Sequence, residues 1–477
     1  MSAKLHDEPD RQHVVLGTAM KRKNTNTVCF FCAVATAALT GCGGSSGSTT
    51  ITTTPPLTQH DWIWQSGSQN ATQPGVYGTQ GMPSPLNVPG SRHGFADWAD
   101  SHGNFWLFGG DGLISPHNSG FLDDLWMYQP STGQWTWVSG SQQPNQSANF
   151  GTIGVASPTN IPAGRISAQT WTDAQGNLWL FSGSNLYSDM WKFTPSTGEW
   201  TFMGGGTENN FSGPIKGIYG TLGQPSPTNQ PGPRDSAATW TDQQGNLWMY
   251  GGDGYDSNGQ QGFLGDIWRY SPANLEWTWM GGSPIANTQP SYGSKGVASA
   301  SNTPGGRGNS AFWGDAQGNL WLFGGGDVNG YNNDLWEYSN GEWTWIAGSN
   351  QPSQAGIYGT VAVPSPQNAP GARFNSVMWM DAHGNLWLFG GIDSLDIDYN
   401  DLWVFTNGQW AWMSGPQVPT GYGSFGAIGV GSSSDEPPPR TSAGGWVDQS
   451  GNLWLFGGVN VDIPQVNWYN DLWEYPL

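Results

Sequence analysis

The chain has 477 residues, only 10% of them charged, and a formal net charge of −20. A chain this acidic lacks the basic patches that hold phosphate groups, which excludes nucleic acid as a partner and direct binding to an anionic lipid surface. Its 72 glycines and 33 prolines accompany 30 tryptophans, which predicts tight turns between short apolar strands. All three cysteines precede residue 43, so residues 60–477 offer no thiol for a disulfide or metal site.

The N-terminal segment has the order of parts of an export signal. A basic stretch at 21–23 precedes an apolar run at 28–39, which is too short to span a bilayer as a helix. The run ends in Leu-Thr-Gly-Cys, and this ending resembles the bacterial lipoprotein box, whose cysteine becomes the lipidated first residue. The resemblance implies a signal peptide over 1–41, with its true start at Met20, and lipidation of Cys42. The alternative is an ordinary secretory signal in which Cys42 is incidental.

Residues 42–59 are rich in Ser, Thr and Gly and carry no core-forming pattern. Such a composition predicts a flexible tether that holds a folded domain away from a membrane. We therefore expect an exported, lipid-anchored protein of the bacterial cell envelope, at the outer membrane or cell surface. The membrane would be contacted through the lipid alone.

The rest of the chain contains six copies of one block, Gly-Asn-Leu-Trp-Leu-Phe-Gly-Gly or a close variant. The copies begin at Gly103, Gly176, Gly245, Gly318, Gly384 and Gly451. Self-similarity at this period indicates an array of supersecondary units. In the fourth copy, runs at 310–313, 320–323, 334–338 and 343–346 are apolar or alternating and are separated by Gly- and Asn-rich turns. Each repeat therefore predicts four short strands.

This pattern resembles the kelch repeat: an arginine-led first strand, a second ending in Gly-Gly, an aromatic third and a Trp-led fourth. The resemblance covers 60–477 and implies an all-β, six-bladed β-propeller of four-stranded blades, similar to the central domain of galactose oxidase. Two departures are a period above the usual ~50 residues and Ser182 in place of a glycine. The last copy ends after its third strand, so residues 61–66 are expected to complete the blade at 440–475 and close the ring.

Antiparallel order separates the connections onto two faces. Tight first-to-second and third-to-fourth turns share one face, the short-turn face. Second-to-third loops and the long fourth-to-first loops share the other, the long-loop face, where we expect a ligand.

Two sets of repeated residues are candidates for a ring around the axis. The long-loop aromatics would either stack on sugars or plug gaps between blades, and their repetition favours plugs; they are Tyr77, Phe150, Tyr219, Tyr292, Tyr358 and Tyr422. The arginines that open the first strands would either form a basic ring or, as we predict, pair with local carboxylates or backbone carbonyls; they are Arg92, Arg165, Arg234, Arg307, Arg373 and Arg440.

Unrepeated residues are better candidates for a ligand site. Trp468, the one tryptophan outside the repeat pattern, lies near Asp462 and Tyr469 and is either a ligand platform or a cap of the closing blade. Two acidic second-to-third loops supply the other candidates, Tyr255, Asp256, Asp396 and Asp398. Oxygens of Asp253, Asp256 and Asn258 are weak candidates for Ca²⁺, although the EF-hand spacing is missing.

The sequence contains no histidine pair at metal-ligand spacing and no nucleophile elbow. The copper site of galactose oxidase needs a cysteine that 60–477 lacks. We therefore predict a noncatalytic binding or scaffolding propeller without a cofactor, whose ligand is a carbohydrate or a protein. The alternative is a carbohydrate-active enzyme of mutarotase or glycosidase type, using scattered carboxylates of the long-loop face.

Overall fold

The computed structural model describes residues 57–115, 118–184, 187–206, 215–419, 422–461 and 466–477. Cys42, the predicted signal peptide and most of the tether lie outside the described residues, as does Asp462. Regular structure in the described part of the chain is entirely β. No helix there is long and apolar enough to cross a membrane.

Within the described residues, thirty-five strands follow one another in sequence. Up to residue 204 they are β1 (Ile63–Ser66), β2 (Arg92–His93), β3 (Ala96–Ala99), β4 (Phe105–Phe108), β5 (Asp111–Ser115), β6 (Asn118–Phe121), β7 (Leu125–Gln129), β8 (Gln134–Ser139), β9 (Ala156–Ser157), β10 (Gln169–Thr172), β11 (Leu178–Phe181), β12 (Met190–Thr194) and β13 (Glu199–Gly204). The middle of the chain contributes β14 (Arg234–Asp235), β15 (Ala238–Thr241), β16 (Leu247–Tyr250), β17 (Asp253–Tyr255), β18 (Gln261–Phe263), β19 (Gly265–Ser271), β20 (Glu276–Ser283), β21 (Ala311–Gly314), β22 (Leu320–Phe323), β23 (Gly326–Asp327), β24 (Gly330–Tyr331), β25 (Leu335–Ser339) and β26 (Glu342–Ala347). The last are β27 (Val377–Met380), β28 (Leu386–Phe389), β29 (Leu402–Thr406), β30 (Gln409–Ser414), β31 (Gly444–Val447), β32 (Leu453–Phe456), β33 (Val459–Asn460), β34 (Asn467–Trp468) and β35 (Leu472–Tyr475).

Six larger antiparallel sheets, here sheets I to VI, correspond to the six repeats. Their strand orders are β3-β4-β7-β8, β10-β11-β12-β13, β15-β16-β19-β20, β21-β22-β25-β26, β27-β28-β29-β30 and β31-β32-β35-β1, and β9 adds a fifth strand to sheet II. The predicted strands of the fourth copy are shifted by at most one residue at their starts. In sheet VI the fourth strand comes from the N-terminal side, since Trp64 pairs with Trp473. This all-β architecture of four-stranded sheets is compatible with a β-propeller.

The core lies between successive sheets. Six clusters of buried apolar side chains are found, one for each neighbouring pair of sheets, including the pair of sheets VI and I. In that last cluster the ring of Phe105 stacks on Trp446, with centroids 5.0 Å apart and an interplanar angle of 4°. The repeat tryptophans lie in the strands except Trp62, which immediately precedes β1. Their side chains pack between neighbouring sheets.

The first strands meet around a common channel. They contact each other in the cyclic order β3, β10, β15, β21, β27, β31 and back to β3. The residue two positions before each first strand takes part in a closed ring of backbone hydrogen bonds. We call this ring the collar. Each amide donates to the carbonyl of its counterpart in the preceding sheet, with N···O distances of 2.6–3.1 Å. The collar residues are Gly94, Ser167, Ser236, Asn309, Asn375 and Ser442, all with φ between 54° and 61°.

The long loops cover the outer strands. In every repeat a loop amide donates to a carbonyl of the fourth strand, as Gly81 does to Trp137 at 2.8 Å and Gly429 to Trp64 at 2.8 Å. An exposed strand edge is a template for pairing with another chain, and these loops occupy part of the hydrogen-bonding capacity of the six outward edges.

Candidate functional site

The repeated arginines are neutralised inside the fold, as predicted. In each repeat Nη1 and Nη2 of the arginine donate to the two carboxylate oxygens of the aspartate at the start of the third strand, at 2.5–3.0 Å. Both side chains are at most 1% exposed. The carboxylate also accepts the indole N–H two residues later, at 2.7–2.8 Å. These arginines therefore offer no basic ring to a ligand.

Five of the six predicted long-loop aromatics pack against the cluster formed by the arginine, its paired aspartate and the following tryptophan. In the sixth copy the residue that packs there is not the one predicted. The hydroxyls of Tyr77, Tyr219, Tyr292 and Tyr358 donate to the paired aspartate at 2.6–2.8 Å. Phe150 takes this place in the second copy, stacked on Trp191. In the sixth copy the plug is Phe425, whose ring lies 4.9 Å from that of Trp473. Tyr422, which we expected there, is 81% exposed, because the loop register differs by three residues.

The long-loop end of the channel is surrounded by six pairs of residues, one from each repeat, which we call the channel mouth. Each pair joins the residue after the arginine to the residue three positions beyond the end of the second strand. The pairs are His93–Asp111, Ile166–Ser184, Asp235–Asp253, Gly308–Gly326, Phe374–Ile392 and Thr441–Val459. The first and third repeats thus supply the acidic groups, and the fifth and sixth supply the apolar side chains Phe374, Ile392 and Val459. The mouth is therefore asymmetric, although the fold that carries it is repeated.

Burial changes the charge states at the mouth. It raises the pKa of Asp111 to about 6 and lowers the pKa of His93 to about 4. His93 Nε2 lies 3.9 Å from Asp111 Oδ2, and at neutral pH this is a neutral imidazole beside a carboxylate. Burial, with the neighbouring charge of Asp253 as a smaller cause, raises the pKa of Asp235 to about 6. Burial also raises the pKa of Asp253.

Trp468 lies at this mouth. Its strand β34 pairs with β33 through Val459, a mouth residue. Its ring is 5.7 Å from the imidazole of His93 in an edge-on arrangement, and its side chain is half-buried. Tyr469 points elsewhere: it is buried, and its ring lies over the Arg440 guanidinium at 4.5 Å.

The acidic loops are placed differently from one another. Asp256 is 1% exposed, and its carboxylate accepts the backbone amides of Asn258, Gln260 and Ala286, so it stabilises its own turn. Tyr255 is half-buried and Asn258 exposed.

In the other acidic loop, Asp396 is exposed at the tip, with φ of 60°. Asp398 is fully buried and accepts the Val461 amide at 2.6 Å. Across the described residues, no group of three or more His, Cys, Asp or Glu side chains is arranged to hold a metal ion.

Below the collar the channel widens into a cavity of about 490 Å³, lined by the first strands of all six sheets. Asp97 is the one ionisable side chain among the described residues that line it. Its Oδ2 accepts the amide of Gly445 at 3.1 Å. Burial, despite this hydrogen bond, raises the pKa of Asp97 to about 7.

Our sequence interpretation missed the residues of this axis. Asp97 occupies the second position of its first strand, where the other copies have Thr170, Thr239, Phe312, Met378 and Gly445. Aligning the six first strands would have singled it out as the one acidic departure. His93, Asp111 and Asp235 similarly depart from the repeat at the mouth positions.

The chain was also compared with known proteins. No family model matches it, and no curated protein is similar enough in sequence to count as a relative.

Proposed function

We propose that residues 60–477 form a six-bladed β-propeller of kelch type, closed by β1 within the last blade. The cyclic contacts of the first strands, the six-membered collar and the pairing of β1 with β35 support this arrangement. The proposal predicts that deleting 57–66 opens the seam and exposes the Trp473 strand. Limited proteolysis would then cut the deleted form at the 466–477 end, whereas the full chain resists. Equal resistance of both forms would contradict closure by β1.

For its activity we propose noncatalytic binding of a carbohydrate at the channel mouth on the long-loop face. The observation that carries this proposal is Trp468, the unrepeated tryptophan, which packs edge-on against His93, whose imidazole lies 3.9 Å from the Asp111 carboxylate. An aromatic ring packs on the C–H face of a sugar, and carboxylates accept its hydroxyls. The apolar wall of Phe374, Ile392 and Val459 suits the less polar face of a saccharide.

Glycan-array screening of the purified full chain tests the proposal. A Trp468→Ala variant should lose binding of every glycan that the unchanged protein retains. Tyr422→Ala is the matched control, since it removes an exposed aromatic outside the mouth. If no glycan binds, or if Trp468→Ala binds as well as the control, the carbohydrate proposal is wrong and a protein ligand becomes the interpretation to pursue.

A second candidate activity is glycoside hydrolysis or mutarotation, favoured by one observation. Asp235 and Asp253 face each other across an antiparallel pair, and burial raises the pKa of Asp235 to about 6. Such a carboxyl group suits a general acid. Turnover of aryl glycosides or of sugar anomers that disappears in Asp235→Asn would favour the enzyme. Turnover unchanged in that variant would reject these residues as its catalytic pair.

We further propose that the protein is attached to the cell envelope through lipid on Cys42. The Leu-Thr-Gly-Cys ending of the apolar run supports this. A Cys42→Ser variant should leave the membrane fraction and lose incorporation of labelled fatty acid. Retention of the label would contradict the assignment.

A further inference from the structure

The channel cavity is chemically unlike the mouth above it. Its walls are tryptophans and small apolar residues, with hydroxyls of threonines and serines between them. The volume of about 490 Å³ lies within the range of small-molecule sites. One carboxylate in an apolar cavity is the arrangement that selects a cation over an anion.

Asp97 has no counter-charge in the described part of the chain. The ion pairs found there do not include it, and its Oδ2 accepts a backbone amide, that of Gly445. The other five copies build the same strand with neutral residues at this position. The fold therefore does not need a carboxylate here, and a buried charge without a partner is costly.

We propose that the channel cavity binds a compact organic cation. Its ammonium group pairs with the Asp97 carboxylate, the one ionisable group among the described residues that line the cavity. Carbon atoms of the ligand pack against the aromatic wall, which also attracts positive charge. This site goes beyond the carbohydrate site, because the collar separates it from the channel mouth.

Choline and ethanolamine are the probes, and 3,3-dimethylbutan-1-ol is the neutral analogue of choline. Binding to the full chain is measured by calorimetry and by tryptophan fluorescence. We expect both cations to bind and the neutral analogue to bind at least tenfold more weakly. Asp97→Asn should lower the affinity for both cations at least tenfold. Its amide oxygen can still accept the Gly445 amide, and a thermal unfolding measurement checks that it folds.

A control variant sharpens the test. Asp396→Asn makes the same chemical change at an exposed loop and should bind choline as the unchanged protein does.

The affinity for choline should also rise between pH 6 and pH 8. Protons and the cation compete for the Asp97 carboxylate, whose pKa is raised by burial to about 7. The proposal is overturned if neither cation binds at millimolar concentration, if the neutral analogue binds equally, or if Asp97→Asn binds as tightly as Asp396→Asn. Glycan binding through Trp468 would be untouched by any of these results.

Discussion

Asp97 accepts a hydrogen bond from the backbone amide of Gly445, a residue 348 positions away, across the seam between the first and last sheets. A Cβ at the neighbouring Gly444 would lie 3.3 Å from the carboxylate and closer still to the Phe95 ring. The Asp97 carboxylate therefore packs beside β31, which has glycine at positions 444 and 445 and so no side chain in this space. Burial without a counter-charge makes its ionised form unfavourable in the folded state.

Replacing Asp97 with Asn should stabilise the protein at alkaline pH in the absence of ligand. The pKa of Asp97 in the folded state is about 7, above the ordinary 3.8. The folded state therefore favours the protonated carboxyl group, and the free energy of unfolding falls as the pH rises through 7 and the group ionises. Asp97→Asn should raise the free energy of unfolding by about 1–2 kcal/mol at pH 8, with the gain shrinking towards pH 4. Urea unfolding at both pH values measures it. A destabilised variant at pH 8 would show that the charge is compensated.

Arg234→Met should be strongly destabilising, because it leaves Asp266 buried without its partner. Burial alone would raise the pKa of Asp266, but the Arg234 guanidinium and the hydrogen bonds around it hold that pKa below its ordinary value. Breaking such a pair costs about 3–5 kcal/mol. Arg269→Met is the control: this guanidinium lies over the Trp248 ring at 5.7 Å, and its loss should cost under about 1 kcal/mol. Similar costs for the two variants in urea unfolding would contradict a stabilising role of the cluster.

The sequence predicted the repeated parts better than the unrepeated ones. Strands such as 320–323 could be predicted from local alternation and turn residues. Because the same pattern recurs six times, a strand boundary that is ambiguous in one copy can be set from the others. The local pairing of the arginines could be predicted because an unpaired buried guanidinium is costly. The register of Tyr422 was wrong because a loop has no periodicity to fix it. The acidic mouth and Asp97 were missed since their positions become neighbours only when six sheets surround an axis.

Phe425→Tyr should add the hydrogen bond that four other copies already contain. In those copies a tyrosine hydroxyl reaches the paired aspartate at 2.6–2.8 Å, and the corresponding acceptor here is Asp471. The gain should be about 0.5–1.5 kcal/mol, and Tyr219→Phe should lose a similar amount. Tyr422→Phe, at an exposed position, should change nothing. Thermal unfolding of the three variants measures these effects, and a Phe425→Tyr protein that melts below the unchanged one would contradict the repeat alignment.

The collar predicts opposite effects for two substitutions of Ser442. This residue has φ of 55°, a conformation that glycine adopts freely and β-branched residues avoid. Ser442→Gly should therefore be neutral or stabilising by up to about 1 kcal/mol, whereas Ser442→Val should cost about 1–2 kcal/mol or more. Because its amide donates to Asn375 and its carbonyl accepts Gly94, the valine variant should also speed hydrogen exchange of both amide groups in the ring. Unchanged exchange in a destabilised valine variant would mean that the strain is absorbed locally and that the collar does not act as one cooperative ring.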